Sequence, residues 1–144
     1  MAALTSERNH PIKDGLIVSL KMAAVKIFKG AMVGMTAESV AGVPDTGYVT
    51  NLATGTTNPM LFMGVAEETV DNSAGQAGAK AIRVRRSGRF VFSRSGASQA
   101  DVGREFYASD NQTLTTTSTK NAKVGKCVGY VDAARLEVDI SNYT

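Results

Sequence analysis

Apolar residues in this chain come in short runs separated by glycine, proline, asparagine and serine. The first runs are Leu16-Ile17-Val18-Ser19-Leu20 and Ala24-Val25-Lys26-Ile27-Phe28. Both are rich in β-branched residues, which suit a pleated, half-buried surface and predict strands. Lys29-Gly30 breaks the second run, and Ala31-Met32-Val33-Gly34-Met35 reads as another short strand whose glycine marks a bulge or a close backbone approach. Residues 42–59 are punctuated by Gly42, Pro44-Asp45, Gly47, Gly55 and Asn58-Pro59, so they predict a loop with a brief strand at Tyr48-Val49.

Met60 to Glu67 predicts a buried strand, and Asp71 to Gly78 a turn-rich connector. Lys80-Ala81-Ile82-Arg83-Val84-Arg85-Arg86 alternates apolar and charged side chains, the signature of a strand with one wet face. Ser87-Gly88 turns or bulges it before Phe90-Val91-Phe92, and Ala97 to Ala100 predicts a helical turn. Beyond Val102 short strands follow one another to Ile140, ending on the alternation Leu136-Glu137-Val138-Asp139-Ile140. The stretch Ile12 to Lys29 has the apolar content of a helix, but Gly15 and its β-branched residues favour strands. Many short strands with frequent turns predict an all-β fold, a jelly-roll-like β-sandwich or a barrel. Ahead of it, residues 1–14 predict an extended N-terminal arm, with Pro11 disfavouring helix at His10. Fully extended, it reaches roughly 45 Å. Residues 15–144 form the single β domain.

A weak echo runs through the strands. Met32-Val33-Gly34-Met35, Phe62-Met63-Gly64-Val65 and Cys127-Val128-Gly129-Tyr130 each place two apolar residues, a glycine and an apolar residue in a row. A strand geometry repeated within one fold accounts for it, whereas a solenoid needs a longer and more regular period.

Composition narrows the chemistry. A chain of 144 residues supports one domain with a substantial core. Tryptophan is absent, so that core rests on Val, Ile, Leu, Met and Ala. No segment has the length of a membrane span, and the polar stretch Thr5 to His10 stands where a signal peptide has its apolar region. The net charge of +3 is too small to argue for nucleic acid by itself.

Catalytic and metal chemistry find little material. The one histidine, His10, lies in the arm, and the one cysteine, Cys127, lies in an apolar strand pattern as a small buried hydrophobe. One His and one Cys do not make a zinc site. Glu67, Glu68 and Asp71 lie close together, and a solvated loop edge is the simpler reading than a cation site. Gly75-Gln76-Ala77-Gly78-Ala79-Lys80 misses the spacing of a phosphate-binding loop. The expectation is no catalytic residue, no cofactor and no metal.

The basic cluster Arg83, Arg85, Arg86, Arg89 and Arg94 carries more weight. Arg83 and Arg85 share one face of a regular strand. Contact with carboxylates of another protein ranks first. Pairing within the chain ranks second, since Glu137 and Asp139 alternate on the last strand. Nucleic acid ranks third, because Phe90 and Phe92 look like core rather than a stacking platform.

The second half of the chain resembles the small cement, or decoration, proteins of tailed-bacteriophage capsids. The resemblance lies in Gly64-Val65-Ala66, in Ile82-Arg83-Val84 through Gly88-Arg89-Phe90-Val91-Phe92, and in Gly103-Arg104-Glu105-Phe106-Tyr107. It continues through Leu114 to Thr117 and Val128-Gly129-Tyr130 to Leu136-Glu137-Val138. It covers roughly the last 85 residues. It implies an all-β protein without catalysis that binds the outer surface of the phage head, after assembly in the host bacterial cytoplasm, where it stabilises contacts between major capsid protein subunits. The expected partners are the major capsid protein and further copies of the chain, as a homodimer or homotrimer. No membrane is expected, and nucleic acid is unlikely; an OB-like nucleic-acid-binding barrel is the alternative. The expected interface comprises Arg83, Arg85, Arg86, Arg89 and Arg94, with Leu4, His10 and Ile12 of the arm.

Overall fold

A computed structural model describes residues 16–37 and 42–140. The expected arm, with Leu4, His10 and Ile12, lies outside them. Within them the regular secondary structure is almost entirely strand. β1 (Ile17–Lys21), β3 (Met32–Met35), β4 (Thr50–Asn51), β5 (Leu61–Ala66) and β7 (Ala81–Arg85) form one sheet in the order β1-β7-β5-β3-β4. β8 (Arg89–Ser93), β9 (Glu105–Ala108), β10 (Leu114–Thr115), β11 (Ala122–Asp132) and β12 (Arg135–Asp139) form a second, ordered β10-β9-β11-β12-β8. β2 (Lys26–Ile27) and β6 (Val70–Asp71) make a small separate ribbon. Every pairing between these strands is antiparallel. Each large sheet draws its strands from one half of the chain, without the exchange of strands between sheets that a jelly roll entails.

Strand alternation builds two cores. On β3, Met32 joins the cluster shared with the second sheet, while its neighbour Val33 joins a cluster on the opposite face. On β5, Val65 and Ala66 divide in the same way. The first cluster fills the space between the sheets with Phe92, Phe106, Leu114, Leu136 and Val138. The second is roofed by Met22, Ile27 and Val49. Buried Asn72 ties the roof down by donating from its amide nitrogen to the carbonyls of Ala23 and Gln76, at 3.1 and 2.9 Å. The first sheet is thus covered on both faces over its centre, which explains the continuous apolar runs of β3 and β5.

The echoed tetrads mark irregular strands. The ladder between β3 and β5 slips between Val33 and Gly34, with Met63 as the extra residue on β5. The ladder between β11 and β12 slips between Cys127 and Gly129. Gly64 sits at φ +137°, where a side chain would also meet the Arg85 carbonyl. Bulges of this kind bend and twist a strand. The helical turn expected near Ala97 is a short 3-10 turn, Gln99–Asp101. Buried Asp101 caps it by accepting from the Ser98 backbone N–H at 3.1 Å and from Arg104 at 3.0 Å. The brief strand expected at Tyr48-Val49 falls two positions later, at β4, and Val49 forms an isolated bridge with Met22.

Candidate protein-contact surface

The five arginines are divided between the two sheets, because the chain changes sheets among them. β7 ends at Arg85, residues 86–88 cross over, and Arg89 opens β8 in the second sheet. Arg83 and Arg85 share a face as expected, opposite Ser19 and Ile17 on β1. The Nε of Arg85 donates to Oε1 of Glu67 at 2.6 Å, and Arg83 lies 3.5 Å from Glu68. Glu67 and Glu68 are thus engaged by arginine, while Asp71 accepts from the hydroxyl and backbone N–H of Ser73. Among the described residues no group of three potential metal ligands comes together.

Arg89 pairs with Glu137 across β8 and β12 at 3.4 Å. This is the intramolecular pairing that the alternation of the last strand allows. Solvent-exposed pairs of this sort contribute only about 0–1 kcal/mol each. Their chief effect is to hold charged groups at set positions on the surface.

Arg94 has a different role. Its guanidinium lies 5.3 Å from the centroid of the Phe106 ring, and its buried Nε has no hydrogen-bond partner among the described residues. Phe106 is fully buried. The arginine therefore lies against a core aromatic, a contact that sequence reasoning missed, since twelve positions separate the two in the chain and the strands β11 and β12 stand between β8 and β9 in the second sheet. Arg86 is exposed; its backbone N–H donates to the Leu16 carbonyl at 2.8 Å.

Cys127 is 1% exposed, and burial pushes its thiol above the ordinary value. Its Sγ lies 3.5 Å from the Gly129 carbonyl. These are the properties of a packed, unreactive cysteine. The glycine-rich stretch before Lys80 is a turn, with the Gly78 N–H donating to the Met22 carbonyl and Lys80 Nζ to the Asp71 carbonyl. Phe90 and Phe92 pack against the core, their ring centroids 6.1 Å apart.

Two surface features remain. The outer face of the second sheet carries exposed Val91 on β8 and exposed Val128 on β11, flanking Glu137 of β12. Tyr130 and Val131 extend the exposed apolar character toward the end of the β11–β12 hairpin. Between the two sheets runs a cleft of about 720 Å³, lined by Met60 to Gly64, Lys123 to Lys126, Arg86, Glu105 and Ile140. No helix among the described residues is long and apolar enough to cross a membrane. No protein-family model, curated protein or solved structure matches this chain.

Proposed function

We propose that the chain is a structural cement protein, bound to the outer surface of a tailed-phage head, where it bridges major capsid protein subunits as a homodimer or homotrimer. The observation that carries this reading is the outer face of the second sheet. β-Branched Val91 and Val128 stand exposed on two strands, around a charge pair, Arg89–Glu137, that is already satisfied within the chain. A sheet face of this composition suits burial against another folded protein, with apolar anchors and a polar rim. The resemblance of the second half to decoration proteins supplies the identity of the partner. A clamp touching several subunits at once gains from multivalency, because later contacts are effectively intramolecular.

Heads prepared without the chain, mixed with it and sedimented, test the reading. Saturable attachment and greater resistance of the heads to heating are expected. Val91→Asp together with Val128→Asp should weaken attachment by at least tenfold while leaving the far-UV circular dichroism spectrum unchanged. Failure of the native chain to sediment with heads overturns the proposal.

A further inference from the structure

The cleft between the sheets has an unusual wall. β5 pairs with β3 along Leu61–Val65, but with β7 only at Val65 and Ala66. The chain leaves β7 for the second sheet after Arg85, so no described strand pairs with Leu61, Phe62 and Met63 on the side away from β3. The departure is built in by the Met63 bulge and by Gly64, whose conformation brings the Arg85 carbonyl close. A half-strand with one open edge therefore faces a cleft floored by half-buried Leu61, Phe62 and Met63. Open edges of this kind are templates for another strand.

The rim is cationic. Arg86 and Lys126 both line the cleft and are exposed, and Lys123 is matched by Glu105 at 3.0 Å. The rim thus carries two positive charges beyond its internal ion pair. Apolar floor, open edge and positive rim together specify a ligand: an extended segment with apolar side chains on alternate residues and acidic side chains between them.

We propose that this cleft receives such an acidic, extended segment of the capsid protein, added edge-on to Leu61–Met63. Backbone hydrogen bonds to β5 supply attachment, alternate side chains enter the cleft, and carboxylates meet Arg86 and Lys126. A segment of four to six residues at about 3.3 Å per residue spans the open edge. The identity of the partner rests on the cement reading; the chemistry of the cleft does not.

Hydrogen exchange of the full chain, alone and bound to heads, tests the proposal. Expected are rapid exchange in the free chain at those amides of Leu61–Met63 that point away from β3, their protection on heads, and at least tenfold weaker attachment for Arg86→Glu with Lys126→Glu. Attachment without protection at these amides overturns the cleft proposal and leaves the cement reading standing. Protection of those outward-pointing amides in the free chain also overturns it, since the edge is then already occupied. If the chain does not bind heads, the cement reading falls and a decapeptide of alternating valine and glutamate decides the cleft. Amide shifts confined to Leu61–Gly64 and Val124–Lys126, abolished by the two charge reversals, sustain it. No such shifts end it.

Discussion

Replacing Phe106 by leucine, alone and together with Arg94→Met, isolates the contact between a core ring and a guanidinium. Phe106 is fully buried among Phe92, Leu114, Leu136 and Val138. Truncation to alanine would remove about 3–5 kcal/mol. Leucine keeps most of the apolar bulk, so the packing loss falls to about 1–1.5 kcal/mol. Loss of the π face adds the cation–π contribution, about 0.5–1 kcal/mol at exposed sites and about 2 when desolvated. Arg94 is half-buried with an unpartnered Nε, so a value of about 1 kcal/mol follows. Arg94→Met keeps the apolar stem and relieves the unsatisfied nitrogen, so it should cost less than about 1 kcal/mol by itself. Phe106→Leu alone should therefore cost about 2–2.5 kcal/mol, and the double variant should show a coupling of about 1 kcal/mol. The chain has four tyrosines and no tryptophan, so urea unfolding is best followed by tyrosine fluorescence and far-UV circular dichroism together. With a urea slope of about 1–3 kcal/mol/M the expected coupling displaces midpoints by several tenths of a molar or more. A coupling within about 0.3 kcal/mol of zero would falsify the idea that Arg94 is held by the ring.

Further expectations concern single positions. Gly125→Ala should destabilise by about 1–3 kcal/mol, because its Cβ would meet the Asp139 carbonyl where β11 and β12 converge. Gly129→Ala on the same strand, whose nearest contact would be Glu137 Cβ at 3.5 Å, should lie within about 1 kcal/mol of the native chain, and equal losses in the two variants would refute the steric account. Cys127 should react with iodoacetamide at pH 7.5 at least a hundredfold more slowly than a free thiol, and full labelling within minutes in the absence of denaturant would contradict its burial. Hydrogen bonds from Ser73 hold Asp71 below the ordinary value of 3.8, and a hydrogen bond from Arg135 does the same for Asp132. Depressed carboxylates contribute stability that is present above pH 3.8 and disappears as pH falls through their lower folded values. Urea midpoints should thus decline below about pH 4, less steeply in Asp71→Asn with Asp132→Asn, and an identical acid slope in the double variant would remove both groups from the account.

The sequence alone determined the class of fold. Its short β-branched runs, its turn residues and the alternation at Ile82-Arg83-Val84-Arg85 follow from a two-residue strand period, which is a local property. One irregularity was also visible: Gly34 read as a bulge or a close backbone approach, and the β3–β5 ladder slips beside it, although the extra residue, Met63, stands on β5. Partnership was not local. Glu67 and Glu68 meet Arg85 and Arg83 only because β5 and β7 lie side by side, and Arg94 meets Phe106 although β11 and β12 stand between β8 and β9 in the second sheet. The cleft has no signature in the primary structure at all. It exists because β7 departs from β5 after Arg85, and such a departure is decided by the packing of two sheets around one core. Periodicity records which face a side chain takes, whereas the neighbour it finds there depends on strand order, and strand order is a property of the assembled whole.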